Sequence, residues 1–346
     1  MTMRVLIEAH HPAHVHFWKY PIRELQRRGH EVLLIGRDRD VMRRLLEVYD
    51  WIPSIIPPRE SQRNRFPLLE MLQRQWLVAK QIRHFRPDVV ASLMGSYTQT
   101  AKVLGVRNVV FTDSEFQHFN HRIAHPFADV VYTPECFYKD LGRKQSRYRG
   151  IHELMFLRKE LFQPNEEMLS AFDYVEPGRY IVLRFSAWNT LHDIGQRGVG
   201  TQIFGIIKEY ADKYRFVLSA EEAQMLPELK PYVLKVQPEH MHDLLYFSAF
   251  VVSEGASTAS EAACLGVPTV YINSTEERGY LRMLEQDFGI LSCHRDASAG
   301  LARVREEIEK IGKPDWEARE RLRLAVESAH PDGIKFVVEA LEKEAS

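Results

Sequence analysis

Short apolar runs alternate with helix-length pieces along almost the whole chain, and this alternation restricts the fold more than any other feature. In the amino-terminal half the runs are "RVLIE", "EVLLIG", "WIPSII", "PDVVASL", "RNVVFTD" and "ADVVYTP". In the carboxy-terminal half they are "RYIVLRFS", "YRFVLSA", "YVLKVQP", "AFVVSEG" and "PTVYINS". They lack the every-second-residue polarity of a strand with one wet face. Such runs, separated by helices, predict parallel sheets covered on both faces. The rhythm loosens between Tyr148 and Gly178, where prolines and acids interrupt it. At 346 residues the chain also exceeds the usual size of one hydrophobic core. The expectation is an α/β protein with two Rossmann-type domains, residues 1–155 and 178–330, facing each other across a cleft. Residues 156–177 read as a linker, and 331–346 as a helix that could pack back on the first domain.

The composition narrows the functional classes. A formal net charge of -1 provides no global basic field for nucleic acid, so any anion site must be local. The three cysteines, Cys136, Cys264 and Cys293, are far apart and form no C-x-x-C pair. That pattern argues against a disulfide framework or a cysteine zinc site and suits a reducing cytosol. "MTMRVLIEA" runs straight into a strand-like segment without a signal-peptide core, and no apolar run approaches the roughly 20 residues needed to span a bilayer. A cytoplasmic protein that can touch a membrane surface is expected.

In open α/β sheets, ligands sit beyond the carboxyl ends of the strands. The most informative such place is "FVVSEGASTASEAACLGVPTVYIN", Phe250 to Asn273. It reads as a strand, a small-residue turn, a helix from about Thr258, then Gly266-Val267-Pro268 and a second strand. Gly255, Ala256 and Ser257 leave backbone N–H groups open at a helix start, which suits a phosphate or diphosphate. Glu261 could accept hydrogen bonds from ribose hydroxyls; alternatively, Ser257 or Thr258 caps the helix and Glu261 closes a capping box. In "IVLRFSAWN", Arg184, Ser186 and Asn189 fall at the end of the preceding strand. Arg184 there either neutralises a phosphate or pairs with a surface acid.

"SEGASTASEAACLGVPTVYI" resembles the donor-nucleotide motif of GT-B glycosyltransferases and of the related non-hydrolysing nucleotide-sugar 2-epimerases. The resemblance implies a diphosphate at Gly255–Thr258, ribose at Glu261 and a Gly-x-Pro exit at Gly266–Pro268. "HHPAHVHFWKYPIRELQRRGHEV" is similar to the opening of the peptidoglycan N-acetylglucosaminyltransferase, with His14-Val15 at its His-Val position and His10, His11 and Pro12 standing where glycines would be. With "HPAHVHF", "LRFSAWN" and "SEGASTASEAA", the whole chain looks like a family of uncharacterised archaeal and bacterial proteins grouped with GT-B enzymes. Two departures weaken the epimerase reading. The turn that carries an Asp in epimerases holds Ser96-Tyr97, and "FQHFNH" before Arg122 has no Glu.

On the first-domain side, "FTDSEF" puts Asp113 and Glu115 at a strand end as candidates for a general base or sugar-hydroxyl contacts. "SLMGSYTQT" puts Gly95, Ser96 and Thr98 at a turn that either holds an anion or caps a helix. Four imidazoles crowd "HHPAHVH". Pro12 disfavours helix at His11, so His10 and His14 are not expected to share a helical face, and a metal site is disfavoured. His14 is the candidate base, with His11 on the acceptor side, while a plain polar loop remains the alternative. Val15, Trp18, Ile22 and Leu25 have the spacing of an apolar helix face. Asp38-Arg39-Asp40 fits the metal motif of GT-A transferases but sits where it would cap a helix. Arg59–Arg86 carries Phe66, Leu69, Leu72, Trp76 and Leu77 amid basic excess; it is either a core-facing helix or a surface for an anionic lipid.

The resulting expectation is a GT-B glycosyltransferase without a metal or other cofactor, taking a nucleotide-diphosphate sugar and an acceptor that is lipid-linked or a small metabolite. The alternatives are a UDP-sugar 2-epimerase and a nucleotide-sugar-binding protein without catalysis.

Overall fold

The computed structural model describes residues 2–37, 40–51, 54–55, 67–172, 175–185, 199–219, 227–275 and 277–346. The chain divides into two compact units, Met1–Phe156 with His330–Ser346, and Leu157–Ala329.

Among its described residues unit 1 is built on seven parallel strands: β1 (Arg4–Ala9), β2 (Glu31–Gly36), β3 (Ser54–Ile55), β4 (Val89–Ser92), β5 (Arg107–Phe111), β6 (Val130–Pro134) and β7 (Gln145–Tyr148). Their order is β3-β2-β1-β4-β5-β6-β7. Leu6 pairs in register with Leu33 on one side and Val90 on the other. The connecting helices are α1 (Pro12–Arg27), α2 (Asp40–Val48), α3 (Pro67–Phe85), α4 (Thr98–Val103) and α5 (His118–Ile123). Strands β1 and β4 are buried almost throughout, as continuous apolar runs between two helical layers require.

Among its described residues unit 2 has five parallel strands: β8 (Tyr180–Arg184), β9 (Arg215–Ser219), β10 (Phe250–Ser253), β11 (Thr269–Ile272) and β12 (Leu291–His294), in the order β12-β11-β10-β8-β9. Its helices are α6 (Val199–Tyr210), α7 (Met241–Phe247), α8 (Ala256–Cys264), α9 (Gly279–Gln286), α10 (Ala297–Lys310) and α11 (Trp316–Ser328). The last helix, α12 (Gly333–Ala345), belongs to unit 1. Its Phe336 stacks on Tyr148 with ring centroids 4.7 Å apart, and Glu342 meets Arg28 at 2.9 Å and His30 at 3.0 Å.

Several elements differ from the sequence-based expectation. The histidine stretch is a loop only as far as His11: α1 begins at Pro12, with His11 extended as its N-cap. Pro12 does keep His10 and His11 out of the helix, while His14 and His16 lie in it. Proline breaks a helix interior but suits its first position, where the missing N–H has no partner to lose and φ is already helical. "YVLKVQP" forms only a single bridge, Leu218 to Val233, following a 3-10 turn over Pro227–Tyr232. Strands β7 and β12 lie in "QSRY" and "LSCH", too polar to stand out. The stretch read as a linker is packed into unit 2: Arg323 donates to the Leu157 carbonyl at 3.0 Å, and the Asn165 N–H donates to Asp243 at 2.8 Å.

Candidate functional site

Strand order decides where each unit can hold a ligand. In unit 1 the chain builds outward from β1 through β2 and β3, then restarts at β4 on the other side of β1. In unit 2 it runs from β8 to β9 and restarts at β10 on the other side of β8. Loops leaving the two central strands diverge at such a switch point and leave a crevice at the carboxyl edge. The residues to weigh therefore follow β1 and β4 in unit 1, and β8 and β10 in unit 2.

In unit 2, Ser253 shapes the turn after β10 by accepting from the Gly255 N–H at 3.0 Å and donating to the Gly255 carbonyl at 2.8 Å. Asn273 pins the same turn by donating to the Glu254 carbonyl at 2.8 Å. Gly255 is the N-cap of α8 and supplies no side-chain cap. Neither Ser257 nor Thr258 caps the helix, because both already lie within its first turn. The capping-box alternative for Glu261 fails for the same reason. Glu261 is the sixth helical residue, buried, with Oε2 3.5 Å from Nε2 of His242. A helix start with no side-chain cap among the described residues and a carboxylate behind it matches the anion-plus-hydroxyl chemistry of a nucleotide.

The Gly-x-Pro after α8 has a structural explanation. Gly266 takes φ +77° and its N–H donates to the Ala263 carbonyl, while the Val267 N–H donates to that of Ala262; together they close the helix. A Cβ at Gly266 would run into the backbone oxygen of Arg319. Gly266→Ala is therefore expected to destabilise the protein by roughly 3 kcal/mol, measured by urea unfolding.

Arg184, at the end of β8, directs Nη1 to the Ser219 carbonyl at 3.0 Å and to its hydroxyl at 3.2 Å. It thus ties two strand ends together at the switch point, and among the described residues it pairs with no acid. Ser186 and Asn189 lie outside the described residues. A cavity of about 240 Å³ lined by Gly178, Phe250, Pro268 and Arg319 opens at the opposite, amino-terminal edge of this sheet.

In unit 1, the switch point holds a chain of polar groups. Glu8, fully buried on β1, meets His10 Nδ1 at 2.9 Å, and His10 Nε2 lies 3.0 Å from the Tyr97 hydroxyl. Burial alone would raise the Glu8 carboxyl, but His10, the Ser96 hydroxyl and His14 hold it below its ordinary value. Ser96 does not cap α4, whose N-cap is Tyr97. Thr98 donates to the Gly95 and Ala124 carbonyls. Gly95 needs its φ of +79°, and a Cβ there would press on Ala124 and Thr98, so this glycine reports packing.

The four imidazoles have four different partners. His10 belongs to the Glu8–Tyr97 chain, and His11 accepts from the Ala13 N–H at 3.2 Å as the α1 cap. His16 stacks on Phe156 with centroids 5.1 Å apart. His14 Nδ1 accepts from the His10 N–H at 3.3 Å. Among the described residues, no group of three or more His, Cys, Asp or Glu side chains converges on a metal position. Burial, only partly offset by Glu8, lowers the His14 imidazole to about 3. With Nδ1 accepting, its proton resides on Nε2. His14 is then a neutral hydrogen-bond donor, poorly matched to accepting a proton near pH 7.

A second buried pair lies further along the same sheet. Asp113, just after β5, has Oδ2 3.1 Å from Nδ1 of His152, which follows β7. Burial would raise Asp113, but His152 and the hydrogen bond between them hold it below the usual carboxylate range. Burial also pulls His152 down, but Asp113 lifts it above its ordinary value. The pair is an ionised carboxylate orienting an imidazolium. His152 Nε2 is buried and meets no hydrogen-bonding group among the described residues, while the Phe17 ring lies edge-on, centroids 4.6 Å apart. Glu115 is fully buried, with Oε1 accepting from the Tyr138 N–H at 3.3 Å. Sequence reasoning missed Glu8, Tyr97 and His152. "GIHELMF" reads as irregular structure, and nothing local links His152 to an aspartate after a different strand.

The profile of the family described as "Protein of unknown function (DUF354)" matches residues 3–292. The chain belongs to the DUF354 family. No curated protein matches it. Among solved structures, the DUF354 chain is similar to the UDP-GlcNAc 2-epimerase of Neisseria meningitidis bound to UDP-GlcNAc, with a TM-score of 0.71 and 14% identity over 99% of this chain and 100% of that one. The UDP-GlcNAc 2-epimerase of Methanocaldococcus jannaschii gives 0.66 and 12%, with the same coverage. A spinosyn rhamnosyltransferase gives 0.61 and 14%, again over 99% and 100%. The DUF354 chain thus shares with these structures a fold of two parallel-sheet, Rossmann-like domains.

Proposed function

We propose that this chain is a GT-B glycosyltransferase that takes its sugar from a nucleotide diphosphate. The start of α8 at the unit 2 switch point, which no described side chain caps, with Glu261 buried behind it, carries the reading. In it, Gly255–Thr258 and Arg184 hold the diphosphate and Glu261 the ribose. Unit 1 supplies the acceptor side. The acceptor hydroxyl loses its proton, its oxygen bonds to the anomeric carbon, and the bond from that carbon to the diphosphate oxygen breaks. Charge on the leaving group falls on the helix start and Arg184, which needs no metal. Of the candidate bases, Asp113 is the carboxylate held ionised, with His152 orienting it; His14 is a neutral donor and Glu115 is enclosed. The acceptor is lipid-linked or a small metabolite.

Calorimetric titration with uridine, guanosine and thymidine diphosphates tests the donor site. One of them should bind, and Glu261→Ala should weaken it about tenfold or more. If none binds, or Glu261→Ala binds equally well, the donor assignment fails.

One observation supports a second reading, a nucleotide-sugar 2-epimerase. The turn at Ser96-Tyr97 has no acid in sequence, yet Tyr97 is joined through His10 to the buried carboxylate of Glu8. Incubating the bound UDP-sugar alone in deuterated water separates the two: deuterium at C2 favours the epimerase. Binding without turnover in either assay leaves a nucleotide-sugar-binding protein.

A further inference from the structure

Helix α3 exposes the wrong side chains for a helix whose one apolar stripe faces a core. Its core-facing residues are Val78 and Ile82, both buried. On the opposite side, Leu69, Leu72 and Trp76 are 56%, 59% and 56% exposed. They lie three and four residues apart, on one stripe that continues into Lys80 and Arg83. The Lys80 ammonium sits over the Trp76 ring, 3.6 Å from its centroid. A second stripe follows on α5, where Phe119 is 67% and Ile123 44% exposed, with Arg122 exposed between them.

The two stripes adjoin through α4. Gln75 on α3 donates to the Ser96 carbonyl at 2.8 Å, and Gln99 on α4 donates to the Ile123 carbonyl at 2.7 Å. Both α3 and α5 follow strands of the unit 1 sheet, so their first turns lie at its carboxyl edge. The charge on these two helices has one sign. The acid of α3, Glu70, is paired with Arg37, and α5 contains none. A two-fold contact with a second copy would set these cations against each other. A surface of negative headgroups would complement them, with the apolar stripes entering the acyl boundary.

We propose that the α3–α5 face docks on an anionic lipid bilayer. This holds whether or not the chain transfers a sugar, and so fails or stands separately from the donor-site reading. The test is sedimentation with phosphatidylcholine vesicles, with and without a minority of phosphatidylglycerol, at low and high salt. The protein should bind the anionic vesicles, bind neutral ones far more weakly, and be released as salt screens the contact. Leu72→Glu with Trp76→Glu should abolish binding, as should Phe119→Glu on the other helix, while thermal melting shows the variants folded. Lys80→Gln, Arg83→Gln and Arg122→Gln should each weaken binding about fivefold. Three outcomes overturn the proposal: no binding to anionic vesicles, binding that survives both sets of apolar replacements, or a dimer that Leu72→Glu with Trp76→Glu dissociates.

Discussion

Asp113→Asn is expected to cost roughly 3 kcal/mol of stability, because it leaves a buried imidazolium beside a neutral amide. Both partners contribute to the pH dependence of the loss. His152 is raised in the folded protein, so its contribution is complete below the ordinary histidine value and fades as pH climbs through the raised one. Asp113 is lowered, so its contribution is complete above the ordinary carboxyl value and fades as pH falls through the lowered one. The difference between wild type and Asp113→Asn should therefore be largest between about pH 4 and about pH 6.5. Histidine NMR gives a second readout: in Asp113→Asn, burial is no longer opposed, and His152 should titrate below its ordinary value. If His152 titrates identically in both proteins, the pairing is wrong. The same variant also bears on catalysis. Were the pair only structural, turnover per folded molecule would persist; with Asp113 as the base it should fall roughly a hundredfold or more with nucleotide binding intact.

How legible such a pair is in sequence depends on the range of the interaction that makes it. The strand–helix alternation is local, and it marked both sheets because a strand covered on two faces must be apolar along its length. Gly255 and Glu261 were legible because turn, helix start and carboxylate lie within one βα unit. The helix start at Pro12 was misjudged because the same proline ring that breaks an interior also fits a first turn. Which of the two applies depends on where β1 ends. Glu8 was hidden inside an apolar run, and only the fold shows that His10 and Tyr97 enclose it. His152 needed two crossovers, β5 to β6 and β6 to β7, before it could meet Asp113. The exposed stripe of α3 was ambiguous for a related reason: spacing gives a helix face, but only the packing of Val78 and Ile82 shows which face is covered.

His14 should make the protein acid-labile. Its imidazole is lowered to about 3 by burial, with Glu8 offsetting only part of that cost. An unfolded histidine takes up its proton near 6.5, so between these values the unfolded chain holds a proton that the folded chain lacks. Stability then falls steadily as pH drops through that window, by a total on the order of 5 kcal/mol. His125, lowered to about 4 by burial and by His121, adds to the same slope over a narrower range. His14→Asn isolates the first contribution, since an amide oxygen can take the Nδ1 position and still accept the His10 N–H without titrating. Urea unfolding from about pH 7 to about pH 4 should show a steep loss in the wild type and a shallower one in His14→Asn. Equal slopes would mean that His14 is protonated in the folded protein. Its Nδ1 could not then accept from His10, and the first turn of α1 would have to be held in another way.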